Sequence, residues 1–253
     1  MKRIKRRIFA GTVCEQIVYS IASGQPVKTA KPRLRFQNEE ERRQHRDGIA
    51  RRRAIRLVNE NFGPESLYVT LTFDVHNEVH SAAECRRERD NFIRRLLRRY
   101  PAAKIICVYG QGQHTQRFHL HMLSSGIPEE ALGKVWGRGS VFRADRLRAH
   151  NYYDGIDHGR DYTGLVNYLL DHWRPEFGGH RYKATRSCRE PVPEPPTEAV
   201  REYSPEHPPI APRGYTYVSA KITRYGYQLY KYVKIDDTGG HGRRKKPCKC
   251  VTF

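Results

Sequence analysis

Residues 117–123 read Arg-Phe-His-Leu-His-Met-Leu, and their alternation decides both the fold and the candidate site. Successive side chains of a strand point to opposite faces, so His119 and His121 project from the same face, about 7 Å apart. The apolar residues between and beside them point to the other face, where they can enter a hydrophobic core. The pattern predicts that the two imidazoles bind one metal ion or, alternatively, that they form the polar surface of an edge strand.

The charge of the chain indicates an anionic partner. It has 253 residues with 47 Lys and Arg against 27 Asp and Glu, a formal charge of +20. An excess of this size favours nucleic acid, and the 16 tyrosines offer flat faces on which unpaired bases can stack. Since the apolar runs are far shorter than the roughly 18 residues needed to span a bilayer, we expect no membrane partner. The scattered cysteines indicate reduced thiols and a cytoplasmic protein.

Outward from the histidine strand, the sequence predicts an α+β fold. Strands are expected at 68–73, 104–109, 117–123 and 140–143, and helices at 38–61, 81–99, 128–135 and 161–173. The order β-α-β-β-α-β, followed by a helix, predicts an antiparallel sheet with helices on its faces, a ferredoxin-like arrangement.

The predicted domain organisation has five parts. Residues 1–60 form a basic N-terminal arm and a helix, and residues 61–190 form the core. Residues 191–213 hold 8 of the 15 prolines and predict an extended linker or a strap over the domain surface. Residues 214–235 alternate like a β-hairpin, and residues 236–253 form a basic tail.

The spacing of the core residues leaves the third metal ligand open. If the loop between the predicted strands 104–109 and 117–123 closes symmetrically about His114, Gln111 lies opposite Arg117. It then shares a face with the two histidines. Its amide oxygen is then a candidate third ligand, which a one-residue slip would remove. His114, in the turn, is the alternative. Two imidazoles and an oxygen suit Mg²⁺ or Mn²⁺, although imidazoles also bind Zn²⁺.

The helix at 161–173 supplies a candidate nucleophile. Its apolar residues recur at helical spacing and form one buried stripe, which includes Tyr162. Tyr168 lies well off that stripe and is available for chemistry or for ordinary solvent exposure. Tyr152 and Tyr153 are the alternatives.

Three segments together resemble a known family. Tyr68-Val-Thr-Leu-Thr-Phe73, Arg117-Phe-His-Leu-His121 and Val166-Asn-Tyr-Leu-Leu170 look like the ordered motifs of rolling-circle replication initiators of the HUH endonuclease superfamily. The resemblance covers about residues 60–190. It is closest to replication proteins of bacterial mobile elements that share a domain with the gene II proteins of filamentous phages.

The resemblance implies a ferredoxin-like HUH endonuclease core in which His119 and His121 bind the metal and Tyr168 is the nucleophile. It implies an enzyme that nicks and rejoins single-stranded or hairpin origin DNA of a plasmid, phage or integrative element through a phosphotyrosine intermediate, with Mg²⁺ or Mn²⁺. Because the sequence contains no phosphate-binding loop, we expect a host helicase as a partner. Many members have a lysine three residues after the tyrosine, where this chain has Asp171. Candidate cationic, nucleic-acid-binding residues are Arg117, Arg181, Lys183 and Arg186.

Three alternatives remain. A non-catalytic basic nucleic-acid-binding protein would bind DNA without cleaving it. A hydrolytic nuclease would cleave without a covalent product. A transposase or relaxase would use the same tyrosine chemistry, but relaxases often have a further histidine where this chain has Ser125.

Overall fold

The structure is a computed structural model. It describes residues 2–22, 24, 26–27, 36–112, 115–153, 155–174, 177–178, 180–223 and 226–234. The helices are α1 (Glu39–Asn61), α2 (Ala82–Arg99), α3 (Glu129–Trp136) and α4 (Thr163–Asp171). The strands are β1 (Lys2–Ala10), β2 (Val13–Ile21), β3 (Leu67–Thr72), β4 (Lys104–Gln111), β5 (Phe118–Ser125), β6 (Val141–Arg146), β7 (Tyr152–Tyr153), β8 (Ile156–Asp157), β9 (Lys183–Ala184), β10 (Thr197–Glu198), β11 (Tyr215–Ile222) and β12 (Gln228–Lys234).

The chain divides into two compact units. Residues 50–149 and 162–190 form one, here called the histidine unit, and residues 1–49, 150–161 and 191–253 form the other, the terminal unit. Helices occur together with sheets whose neighbouring strands are antiparallel, so the predicted α+β class is confirmed. No helix in the described ranges is both long enough and apolar enough to cross a bilayer.

The sheet of the histidine unit has the strand order β6-β3-β5-β4-β9, and each neighbouring pair is antiparallel. The histidine strand β5 therefore lies between β3 and β4, and the alternative of an edge strand is wrong. Both faces of this sheet are covered by helices. The cluster on one face includes residues of α2 and α3, whereas the cluster on the other includes residues of α1 and α4.

Local signals in the sequence explain where the helices begin. The side chain of Ser81 accepts a hydrogen bond from the backbone N–H of Glu84 at 3.2 Å, which caps α2. The side chain of Asn38 likewise accepts a hydrogen bond from the backbone N–H of Glu41 at 2.8 Å, which caps α1. Each cap satisfies a backbone donor that has no partner within the helix.

The terminal unit corrects the prediction of an irregular basic arm. Residues 2–21 form the antiparallel hairpin β1–β2, which turns at Gly11 with a positive φ of 56°. This hairpin and the predicted C-terminal hairpin β11–β12 share one sheet, with the order β10-β1-β2-β12-β11. The arm was not predicted as strands because five of the nine residues of β1 are lysine or arginine and they occupy both faces of the strand, which weakens the alternation.

The proline-rich segment 191–213 is a strap, one of the two predicted forms. Its short strand β10 pairs with β1. The hydroxyl of Tyr232 donates to the Pro209 carbonyl at 2.6 Å, and that of Tyr217 donates to the Pro205 carbonyl at 3.2 Å. The strap thereby covers the tyrosine-rich face of the terminal unit's sheet.

Candidate metal centre and nucleophile

The two histidines of β5 share one face of the sheet, as their spacing predicted. His119 lies opposite Thr72 of β3 and Gly110 of β4, and His121 lies opposite Thr70 and Val108. The residues between and beside them, Phe118, Leu120 and Met122, are buried in the cluster on the other face.

The predicted pairing of β4 with β5 is wrong by one residue. Gln111 lies opposite Phe118, and the N–H of Gly112 donates to the carbonyl of Arg117 at 3.0 Å. Gln111 therefore belongs to the face opposite the histidines, and its side-chain amide donates to the Gln116 carbonyl at 2.6 Å. It is not positioned as a metal ligand. The alternative, His114, lies outside the described residues.

The third imidazole comes from α4. His172 caps the C-terminus of this helix, and its ligand atom lies within 4.8 Å of those of His119 and His121. His172 was not predicted as a metal ligand from the sequence. The spacing nevertheless indicates that His172 lies near Tyr168, because a residue four positions later is on the same face of a helix.

Gly110 makes the approach of His172 possible. A Cβ atom at this position would lie 2.8 Å from the Cβ of His172 and 3.3 Å from Nε2 of His119. The first distance is well below the usual separation of non-bonded carbon atoms. The strand predicted at 104–109 stopped short of Gly110, but Gly110 is a strand residue of β4 whose missing side chain leaves room for α4.

Each of the three imidazoles is oriented through Nδ1. This atom lies 3.4 Å from the Arg117 carbonyl in His119, 2.9 Å from the Tyr68 hydroxyl in His121 and 2.8 Å from the Tyr168 carbonyl in His172. A carbonyl can only accept, so Nδ1 carries the proton in His119 and His172, and the Nε2 lone pairs are available. Metal-binding histidines commonly have their second nitrogen held in this way.

His121 provides the strongest local argument for a bound cation. Its Nε2 atom is buried and has no hydrogen-bond partner among the described residues. Burial, with smaller effects of His172 and His119, lowers the pKa of His121 to about 3. Burial also lowers the pKa of His119. Both rings are thus neutral at physiological pH, as metal binding requires, and the residues present fit a divalent transition-metal ion.

Tyr168 lies beside the imidazoles. Its side chain is 50% exposed, and its ring centroid is 4.6 Å from that of His172 and 5.9 Å from that of His121. Tyr162 is buried, as its place in the apolar stripe predicted. Tyr152 and Tyr153 form β7 of the terminal unit.

A second tyrosine, which sequence reasoning did not single out, connects His121 with Tyr168. Burial raises the pKa of Tyr68 to about 12, and a side-chain hydrogen bond with Tyr168 acts in the same direction. Tyr68 therefore keeps its proton near neutral pH. The arrangement fits a chain in which His121 Nδ1 donates to Tyr68 and Tyr68 donates to the Tyr168 oxygen.

These groups line an open cavity of about 400 Å³. Its walls include the three histidines, both tyrosines, Phe142, Arg117 and Arg143, and none of its described lining residues is acidic. Phe142 and Arg143 were not predicted as site residues, because β6 gives no chemical signal of its own. The guanidinium of Arg143 lies 5.6 Å from the Tyr68 ring centroid, and it interacts electrostatically with Tyr168.

Arg143, whose guanidinium also pairs with Asp145, thus places a cationic group near the tyrosine, where many members of the resembled family have a lysine. Asp171, which occupies the lysine position, forms an ion pair with Arg51 at 2.6 Å. The carboxylate that interrupts the family pattern is therefore paired with a cation of α1.

The predicted nucleic-acid-binding residues are only partly brought together. Arg117 lines the cavity, where it pairs with Glu78 at 3.1 Å and donates to the Phe73 carbonyl at 2.8 Å. Arg181 stacks on Trp173 with its guanidinium carbon 4.6 Å from the ring centroid. The remaining two, Lys183 and Arg186, are exposed and, like Arg181, are not among the lining residues.

Comparisons with protein-family models, with curated proteins and with solved structures find no match to this chain.

Proposed function

We propose that the chain is an HUH-type replication initiator. It nicks and rejoins single-stranded DNA at an origin and thereby starts rolling-circle replication of a mobile element. The observation that carries the proposal is the exposed Tyr168, one helical turn before His172, within ring contact of two of three converging imidazoles. A cationic chain with such a cavity suits a phosphodiester substrate.

The topology of the histidine unit supports a ferredoxin-like HUH core. Its elements follow the order β3-α2-β4-β5-α3-β6, and the four strands are arranged β6-β3-β5-β4 in the sheet. This is the β-α-β-β-α-β pattern expected from the sequence. The histidines occupy one inner strand, and the tyrosine helix packs on the same face.

The donor set indicates which ion the site would hold. His119, His121 and His172 offer three imidazoles, a set that suits transition-metal ions better than Mg²⁺. Of the two ions expected from the sequence, we therefore favour Mn²⁺, and Zn²⁺ is the further candidate. When bound, such an ion supplies Lewis-acid polarisation of a phosphate oxygen.

The tyrosine step is a transesterification. The Tyr168 hydroxyl gives up its proton as its oxygen attacks the phosphorus, one P–O bond forms to tyrosine, and the P–O bond to the 3′ oxygen breaks. The 3′ oxygen takes a proton, and the products are a 5′-phosphotyrosine and a free 3′ hydroxyl. Because one phosphodiester replaces another, the reaction is reversible and the same site can rejoin the ends.

Neighbouring residues prepare Tyr168 for this step. An unperturbed tyrosine has a pKa near 10, so it is a weak nucleophile at neutral pH. The protonated Tyr68 can donate a hydrogen bond to the developing phenolate, and Arg143 places a positive charge nearby. We further propose a cytoplasmic location and a host helicase that supplies single-stranded DNA.

Trapping of a covalent adduct tests the proposal. The protein is incubated with labelled single-stranded oligonucleotides that tile its own replicon, with Mn²⁺, and resolved under denaturing conditions. We expect an adduct that Tyr168→Phe abolishes and that Tyr152→Phe and Tyr153→Phe retain. The double variant His119→Ala/His121→Ala should lose the adduct but keep most DNA affinity, since phosphate contacts elsewhere carry most of it.

Each alternative has its own outcome in the same assay. Binding without cleavage on any strand would indicate a non-catalytic DNA-binding protein. Cleavage without an adduct would indicate hydrolysis by water. An adduct that persists in Tyr168→Phe would exclude Tyr168 as the nucleophile.

A further inference from the structure

A β-bulge in β6 displaces Phe142 from the regular ladder. Arg143 lies opposite Thr70 and Val141 lies opposite Leu71, so Phe142 is the extra residue between two consecutive pairs. Val141 packs against the buried cluster of the histidine unit. A bulge redirects a side chain, and bulges are frequent beside active sites.

The bulge is held firmly at its start. The N–H of Thr72 donates to the Ser140 carbonyl at 3.0 Å, and the two hydroxyls of these residues lie 2.9 Å apart. Gly139 brings the loop close to β3, because a Cβ there would meet the Thr72 carbonyl oxygen at 2.1 Å. The position of Phe142 is therefore set by backbone contacts rather than by burial of its own ring.

The redirected ring is exposed on the wall of the cavity that contains Tyr168. Phe142 is 76% exposed. A single exposed apolar side chain is common and needs no explanation. Here, however, the exposed ring is the bulged residue, and two arginines, Arg143 and Arg117, line the same cavity. A flat aromatic surface among cations is the arrangement that binds unpaired nucleotides.

We propose that Phe142 is a stacking platform for one unpaired base next to the phosphate that reaches Tyr168. The occupant is thus a single strand, because a base within a duplex is already stacked on both faces. Arg143 is the next residue and lies on the face of the sheet that carries the two β5 histidines. Its exposed guanidinium pairs with Asp145 and is close enough in sequence to Phe142 to contact the adjoining phosphate as well. This inference rests on the proposed function, since it assumes that the cavity receives nucleic acid.

A comparison of ligands with and without bases tests the platform directly. Binding of the full chain to a ten-residue thymidine oligonucleotide is compared with binding to a ten-residue abasic chain of the same sugar-phosphate length. Both are measured by fluorescence anisotropy without divalent metal, so that no cleavage occurs. The measured quantity is the dissociation constant for the abasic chain divided by that for the thymidine oligonucleotide. This ratio isolates the contribution of the bases, because it is larger the more the bases add to binding.

We expect Phe142→Leu to reduce this ratio about tenfold, as expected for the loss of one base–aromatic stack. Phe142→Tyr, which keeps the flat ring, should restore it. Tyr152→Ala is the matched control, because Tyr152 is 68% exposed but is not one of the residues that line the cavity. Its ratio should equal that of the unmodified protein. Arg143→Ala should weaken both ligands alike and leave the ratio unchanged.

The outcomes separate this inference from the proposed function. An unchanged ratio in Phe142→Leu, with a Tyr168 adduct still formed on replicon DNA, would overturn the stacking platform and leave the enzyme intact. A reduced ratio in Phe142→Leu that Phe142→Tyr restores would support the platform, whether or not the adduct forms. Equal affinity of the unmodified protein for both ligands would overturn the platform as well.

Discussion

Substitution of Gly110 by alanine tests the metal centre without removing any ligand. The new Cβ would lie 2.8 Å from the Cβ of His172, whereas non-bonded carbon atoms normally stay about 3.5–4.0 Å apart. His172 must therefore move by about 1 Å. Metal–ligand distances are held to roughly 0.2 Å, so a displacement of this size removes the third imidazole from the set.

We expect the affinity for Mn²⁺ or Zn²⁺ to fall at least tenfold in Gly110→Ala, measured by competition with a chromophoric chelator. Loss of a group that hydrogen-bonds to a metal ligand lowers metal affinity about 10- to 100-fold. Displacement of the ligand itself should lower it by no less. The rate of adduct formation should fall in parallel. The φ of Gly110 is not positive, so the backbone tolerates alanine and the melting temperature should stay within a few degrees of the original.

Two comparisons make the result specific. Gly133→Ala is the matched control, because its Cβ would lie at an ordinary 3.7 Å from Val141; it should bind metal normally. His172→Ala removes the third imidazole outright and should likewise lower the metal affinity at least tenfold. Unchanged metal affinity in Gly110→Ala would refute the assignment of His172.

Three further predictions concern the second tyrosine, the core and a buried thiol. Tyr68→Phe removes the hydroxyl beside His121 Nδ1 and should lower metal affinity about 10- to 100-fold in the same chelator competition. Trp136→Ala should lower the free energy of unfolding in urea by about 3–5 kcal/mol, because the side chain is 1% exposed and packs edge-on against two phenylalanine rings. Burial raises the pKa of Cys107 from 9.0 to about 12, so its contribution to stability is complete below pH 9 and is lost as the pH rises towards 12. Urea unfolding of Cys107→Ala should show a smaller loss of stability over that range, and an unchanged slope would contradict the argument.

Periodicity predicted the parts of the site that depend on one element alone. The shared face of His119 and His121 follows from the two-residue repeat of a strand. The separation of Tyr168 from the apolar stripe follows from the helical repeat. Both are properties of consecutive residues, and the sequence therefore contains them directly.

Contacts between elements were not predictable in the same way. Hairpin register depends on turn geometry, and the turn after β4 includes Gln116 with a positive φ of 54°. This turn shifts the pairing by one residue and removes Gln111 from the histidine face. The approach of His172 to the strands depends on the empty space at Gly110, which has no signature in a single sequence. The bulge at Phe142 is a similar case, since its position is set by backbone hydrogen bonds across β3 and β6.

The sheet of the terminal unit also determines the order in which the chain can fold during synthesis. Val18 of β2 lies opposite Gln228 of β12, 210 positions later. At about 5–20 residues per second, the ribosome needs roughly 10 to 40 s to make the partner strand. Throughout that interval the β1–β2 hairpin has an unpaired edge at β2, and such an edge is open to pairing with other chains. The histidine unit ends at residue 190, so the ribosome has made all of its strands and helices before it makes β12.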